Sequence, residues 1–78
     1  MTKYNGHPSW TYWNVSLWVN NDEGLYNLAL DCLKQSKRRE DAARSMLDTL
    51  HECGSVKTPD GAPYSVRTIL HSMRGMER

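Results

Sequence analysis

Arg67, His71, Arg74 and Arg78 recur at i, i+4, i+7 and i+11, a spacing that lines them along one side of a helix as a narrow basic stripe. Such a stripe can meet phosphates or an acidic protein surface through charge-assisted hydrogen bonds; the plain alternative is a solvated face with ordinary arginines. The adjacent carboxylates Asp22-Glu23 and Glu40-Asp41 are the other candidates for chemistry. Each pair stands where a helix should begin, and negative charge there stabilises the helix dipole, so capping accounts for both without acid–base catalysis. Arg38 and Arg39 sit in a crowded basic run with Lys34 and Lys37. The candidate partner-binding residues are therefore Asp22, Glu23, Arg38, Arg39, Arg67, His71, Arg74 and Arg78.

Other chemistries find less support. The metal-binding types are His7, His51, His71, Cys32 and Cys53, with no C-x2-C pair. His51 and Cys53, two apart on a helix, point about 200° from each other and cannot chelate together. No metal site and no cofactor is expected. Cys32 falls on an apolar stripe, where a thiol behaves as a small hydrophobe rather than as a nucleophile. No Gly-rich phosphate loop follows a strand, and short helices leave little room for an enclosed pocket of ~300 Å³ or more. Catalytic residues are not expected, and neither is an enzyme.

The elements that must carry these residues read as four short helices. Ser9 is the expected N-cap of the first, after an irregular lead with an Asn5-Gly6 turn and Pro8. Trp10, Trp13, Leu17 and Trp18 then recur at i, i+3, i+7 and i+8 and should form its inward side. Tyr12, Asn14 and Ser16 take the other side. A strand is the competing reading, since Trp13, Val15, Leu17 and Val19 alternate, but it would lack a partner strand. Asn20, Asn21 and Asp22 interrupt the pattern. A second helix follows to about Ser36 on Leu25, Leu28, Ala29, Cys32 and Leu33, and a third from about Arg39 to Cys53 on Ala42, Ala43, Met46, Leu47 and Leu50. Gly54 should end it in the left-handed conformation. Thr58-Pro-Asp-Gly-Ala-Pro63 is a turn-rich connector, and Ser65 caps a last helix with Val66, Ile69, Leu70 and Met73 as its apolar stripe.

A chain of 78 residues makes one domain, residues 1–78, of the all-α class. Six of its seven aromatic residues, all three tryptophans among them, lie between Tyr4 and Tyr26. That string is the expected packing nucleus, since large rings bury roughly 150–250 Å² each. A domain this small gains from a partner subunit, so both a monomer and a homodimer are in view. Ten Lys and Arg against nine Asp and Glu give a net charge of +1. That balance argues against a whole-surface DNA mimic and against a nonspecific nucleic-acid coat. Two cysteines and no signal-like or membrane-spanning stretch point to a reducing cytoplasm. One buried thiol and one near a helix end is the expected state, with a disulfide as the alternative.

Two resemblances add to this. Tyr4-Asn5-Gly6, then Trp10-Thr-Tyr-Trp-Asn-Val15, Leu17-Trp18 and Asn21-Asp-Glu-Gly-Leu-Tyr26 are similar to a family of small bacteriophage and mobile-element proteins with the pattern N-W-E-T-W-x-V-x-L-W-x-x-N-D-E-G; the stretch Thr58 to Ser65 resembles that family's C-terminal end. Ser9, Thr11 and Tyr12 depart from its usual Asn, Glu and Thr. The resemblance implies a phage-encoded anti-defence protein, such as a small anti-CRISPR that binds a Cascade-type effector complex of the host and blocks target DNA. The second covers Leu50 to Gly54, Thr58 to Gly61 and Tyr64 to Leu70. It resembles the helix-turn-helix segment of large serine recombinases, which implies a DNA-binding regulator whose residues after Ser65, Arg67 and Arg74 among them, face the major groove.

Overall fold

The computed structural model describes residues 9–74 and residue 76. The lead over residues 1–8, with His7 and Pro8, lies outside the described residues, as does Arg78 at the end of the basic stripe.

The all-α reading holds. Helices α1 (Trp10–Asn21), α2 (Glu23–Gln35), α3 (Arg39–Glu52) and α4 (Val66–Ser72) follow one another, and among the described residues the only β-type pairing is an isolated bridge between Lys57 and Pro63. Contacts run from α1 to α2, α2 to α3, α3 to α4 and from α4 back to α1, so the helices close a ring around one core. No helix of the described residues is long and apolar enough to cross a membrane.

Local chemistry sets each boundary. The Ser9 hydroxyl accepts from the Tyr12 amide at 3.4 Å and starts α1 as a helix rather than a strand. Asp22 alone separates α1 from α2. Its amide donates to the Trp18 carbonyl at 2.9 Å, closing α1, while its carboxylate accepts from the Leu25 amide at 3.0 Å, opening α2. Ser65 and Thr68 form a reciprocal capping box at the start of α4, with bonds of 3.1 and 2.9 Å. Gly54, at φ 81°, follows α3 in the left-handed region that favours glycine.

The start of α3 departs from expectation. Arg38 occupies its N-cap without a side-chain cap bond, and the two acids of its first turn pair with arginines instead, Asp41 with Arg38 and Glu40 with Arg44, each at 3.4 Å. Their charge still suits the dipole. Only Asp22 is a hydrogen-bonded cap in the sense expected for both pairs.

The core draws on Ala29, Cys32 and Leu33 of α2, Ala42, Ala43, Met46 and Leu50 of α3, and Ile69 and Met73 from α4 and its end, as their spacing predicts. The inward side of α1 does not follow its predicted pattern. Val15 and Val19 are fully buried and Asn14 joins them, whereas Trp10 is 37 % and Leu17 39 % exposed; Trp13 and Trp18 are half-buried. The tryptophans are thus flanks of the core rather than its nucleus. Apolar residues surround α1, so periodicity alone fixes no side. The two small branched valines fit where α1 meets its neighbours, and the wider indoles are displaced outward.

Candidate functional site

The connector over residues 53–65 is held to α1 by a polar clamp. The Thr58 hydroxyl donates to Asn14 Oδ1 at 2.5 Å and accepts from the Ala62 amide at 3.0 Å. Asn14 Nδ2 and the Trp18 indole N–H both donate to one carboxylate oxygen of Asp60, each at 2.9 Å. Thr58 also bonds Ala62 and Gly61 through its backbone, at 2.8 Å in both cases, and Gly61 takes φ 98° to let the turn close. The bonds from Asn14, then from Trp18, hold the Asp60 carboxyl below its ordinary value. Every side-chain polar atom buried here is satisfied. The Thr58-Pro-Asp-Gly61 motif therefore serves to lock the loop onto α1, which carries two exposed regions on different flanks.

The first is a basic depression of about 390 Å³, lined by Tyr12 of α1, Arg39 at the start of α3, and Arg67, Leu70, His71 and Arg74 from α4 and the turn after it. Tyr12 and His71 meet edge to face with ring centroids 5.1 Å apart. An Arg74 guanidinium nitrogen lies 3.4 Å from His71 Nδ1, and Arg39 donates to the Met76 carbonyl at 3.2 Å. Among the described residues the lining holds no carboxylate, and the two ion pairs of the described residues engage Arg38 and Arg44, not these three arginines. Three exposed guanidinium groups around an apolar and aromatic floor form an anion-seeking surface.

The second region is an open hollow of about 380 Å³ at the α1–α2 junction, lined by Leu17, Trp18, Asn21 and Asp22. Its floor is mostly apolar, and Asp22 gives its rim a negative charge, with Glu23 next in the chain. Leu17 and Tyr12 lie five residues apart, about 140° round α1, so the hollow and the depression face different directions.

The eight candidate residues separate accordingly. Arg39, Arg67, His71 and Arg74 come together, with Arg39 added to the stripe by the packing of α3 on α4. Asp22 borders the hollow on the other flank. Arg38 turns away to Asp41, Glu23 is exposed in the first turn of α2, and Arg78 lies outside the described residues. Sequence spacing missed the parts contributed by Tyr12, Leu70 and Leu17, and it missed the clamp through Asn14 and Asp60. Asn14, a polar residue set between Trp13 and Val15, was the visible signal of that clamp.

The thiols take the expected places. Cys32 is buried and Cys53 exposed at the end of α3, both free; burial pushes the Cys32 thiol above its ordinary value. Among the described residues no three His, Cys, Asp or Glu side chains stand together as a metal site.

No curated protein and no solved structure gives a significant match to the chain. A family model, DUF7249, described as a family of unknown function, matches residues 1–77. That span takes in α1 with its hollow, the connector with its clamp and the arginines of α4, and on it the chain belongs to the DUF7249 family.

Proposed function

We propose that the protein is a phage-encoded anti-defence inhibitor that acts by docking: in the cytoplasm of the host it binds a CRISPR effector complex of the Cascade type and sterically holds target DNA away. The observation that carries this reading is the hollow at the α1–α2 junction, where exposed Leu17 and half-buried Trp18 sit beside the Asp22 carboxylate. Surfaces that handle DNA are cationic. An apolar seat with an acidic rim complements such a surface, the aromatic and aliphatic groups giving contact area and the carboxylates giving orientation and association rate. The phage and anti-defence context comes from the resemblance of Trp10 to Tyr26 to the small mobile-element family. Docking requires no bond-making step, so the protein is read as a binding module and not as an enzyme.

The test is a pull-down of purified effector complex by the full chain, with target DNA as competitor. Binding that excludes DNA, and that Leu17→Glu abolishes, is the expected result. Asp22→Asn, which keeps a good helix cap, should slow association and weaken its salt dependence while leaving the fold intact. Failure to bind any effector complex of the host would reject the reading. The alternative is a DNA-binding regulator with α4 as the groove reader. It is the weaker reading, because α4 has seven residues and follows a long connector in place of a three- or four-residue turn.

A further inference from the structure

We infer that the depression between α1, α3 and α4 is a binding site for the phosphodiester backbone of a single-stranded nucleic acid. The inference goes beyond the docking reading, since it concerns a different flank of α1 and stands on different residues.

Arg39, Arg67 and Arg74 reach the depression from α3, α4 and the turn after α4. Their planar forks match the oxygens of a phosphate, which accepts paired N–H bonds better from arginine than from any other side chain. Tyr12, His71 and Leu70 complete the described lining, aromatic and apolar groups suited to the flat face of an unpaired base. A volume of about 390 Å³ is at the lower end of the range for small-ligand sites, and the depression is open, so the ligand it suits is a section of polymer rather than an enclosed metabolite. Duplex DNA keeps its base faces stacked and offers the floor nothing. An acidic peptide would satisfy the arginines but would leave Tyr12 and Leu70 without a ring to cover them.

The experiment uses the full chain and fluorescently labelled oligothymidine and oligouridine of about 12 nucleotides, a length within the site sizes of single-strand binders, with polarisation read as salt rises from about 50 to 200 mM. Binding of either oligonucleotide that weakens steeply with salt is expected, and the stronger arm identifies the sugar. Arg67→Ala with Arg74→Ala should lower affinity at least tenfold and make the log–log salt slope shallower by roughly 0.7 for each phosphate that is no longer neutralised. Arg67→Lys with Arg74→Lys should restore the slope while recovering only part of the affinity, because the charge returns without the fork. Tyr12→Leu, which keeps an apolar side chain, should cost about fivefold or more because the base has no ring to stack on. Arg44→Ala, on α3 outside the depression, should change nothing.

Circular dichroism checks that each variant folds, and the lysine pair carries the test if the alanine pair does not. No oligonucleotide binding at the lowest salt would overturn the proposal. So would an equal loss in Arg44→Ala, tighter binding of a duplex, or displacement of the oligonucleotide by a glutamate peptide of equal charge. Effector binding through Leu17 survives any of these outcomes, so the two readings fail separately.

Discussion

The contact between α2 and α3 and the contact between α1 and the connector hold the same small molecule together by different means. On α2 and α3 the buried groups are Ala29, Cys32 and Leu33 and Ala42, Ala43 and Met46, side chains whose stabilisation comes chiefly from apolar area and close fit. Between α1 and the connector, the buried groups include Asn14 and Thr58, 1 % and 2 % exposed, and the contact is specified by hydrogen bonds from Thr58 to Asn14 and from Asn14 and Trp18 to Asp60. A shape-driven interface tolerates neighbours of similar volume. A polar one tolerates only partners that complete it, because an orphaned buried donor or acceptor keeps its full desolvation penalty.

The largest effect should come from the apolar side. Leu33→Ala removes a fully buried side chain and is expected to cost about 3 kcal/mol of unfolding free energy in urea, from the lost apolar burial together with the cavity it leaves. If it costs no more than a surface substitution, the α2–α3 contact is not the shape-driven half of the molecule. Asn14→Leu should follow at about 2 kcal/mol, although it adds apolar volume, since it strips Thr58 and Asp60 of their partner. A double-mutant cycle of Asn14→Ala with Thr58→Val sharpens the contrast: the two should be coupled by about 1 kcal/mol, whereas Asn14→Ala with Leu33→Ala should add.

The smallest and most specific effect is on pH. The folded-state pKa of Asp60 is depressed by Asn14 and Trp18, so its contribution to stability is fully present above the ordinary carboxyl value of 3.8. It declines as the pH falls below that value and through the depressed one, because the unfolded chain takes up the proton first. Denaturation of the parent and of Asp60→Asn should therefore differ at neutral pH and converge in acid. A gap that persists unchanged at the lowest pH would place the source of the difference elsewhere.

The same contrast explains what the sequence made legible. Leu25 to Leu33 and Ala42 to Leu50 repeat at helical spacing with one apolar side each, so their packing can be read locally, and Asp22, Ser65 and Gly54 mark boundaries by chemistry that acts within a few residues. Helix α1 has no such single side. Trp10, Trp13, Val15, Leu17, Trp18 and Val19 point around it, and what decides its orientation is Asn14, whose partners Thr58 and Asp60 lie 44 and 46 residues away. The basic stripe was legible because Arg67 and His71 share a side of α4 and Arg74 follows in the turn after it. Arg39 and Tyr12 join it only through the return of α4 onto α1 and α3, which no local pattern encodes.

The joint between α1 and α2 is a single residue that ends one helix with its amide and begins the next with its carboxylate. Such a joint has no slack. One inserted residue would turn α2 by about 100° relative to α1, swinging Ala29 and Leu33 out of register with α3.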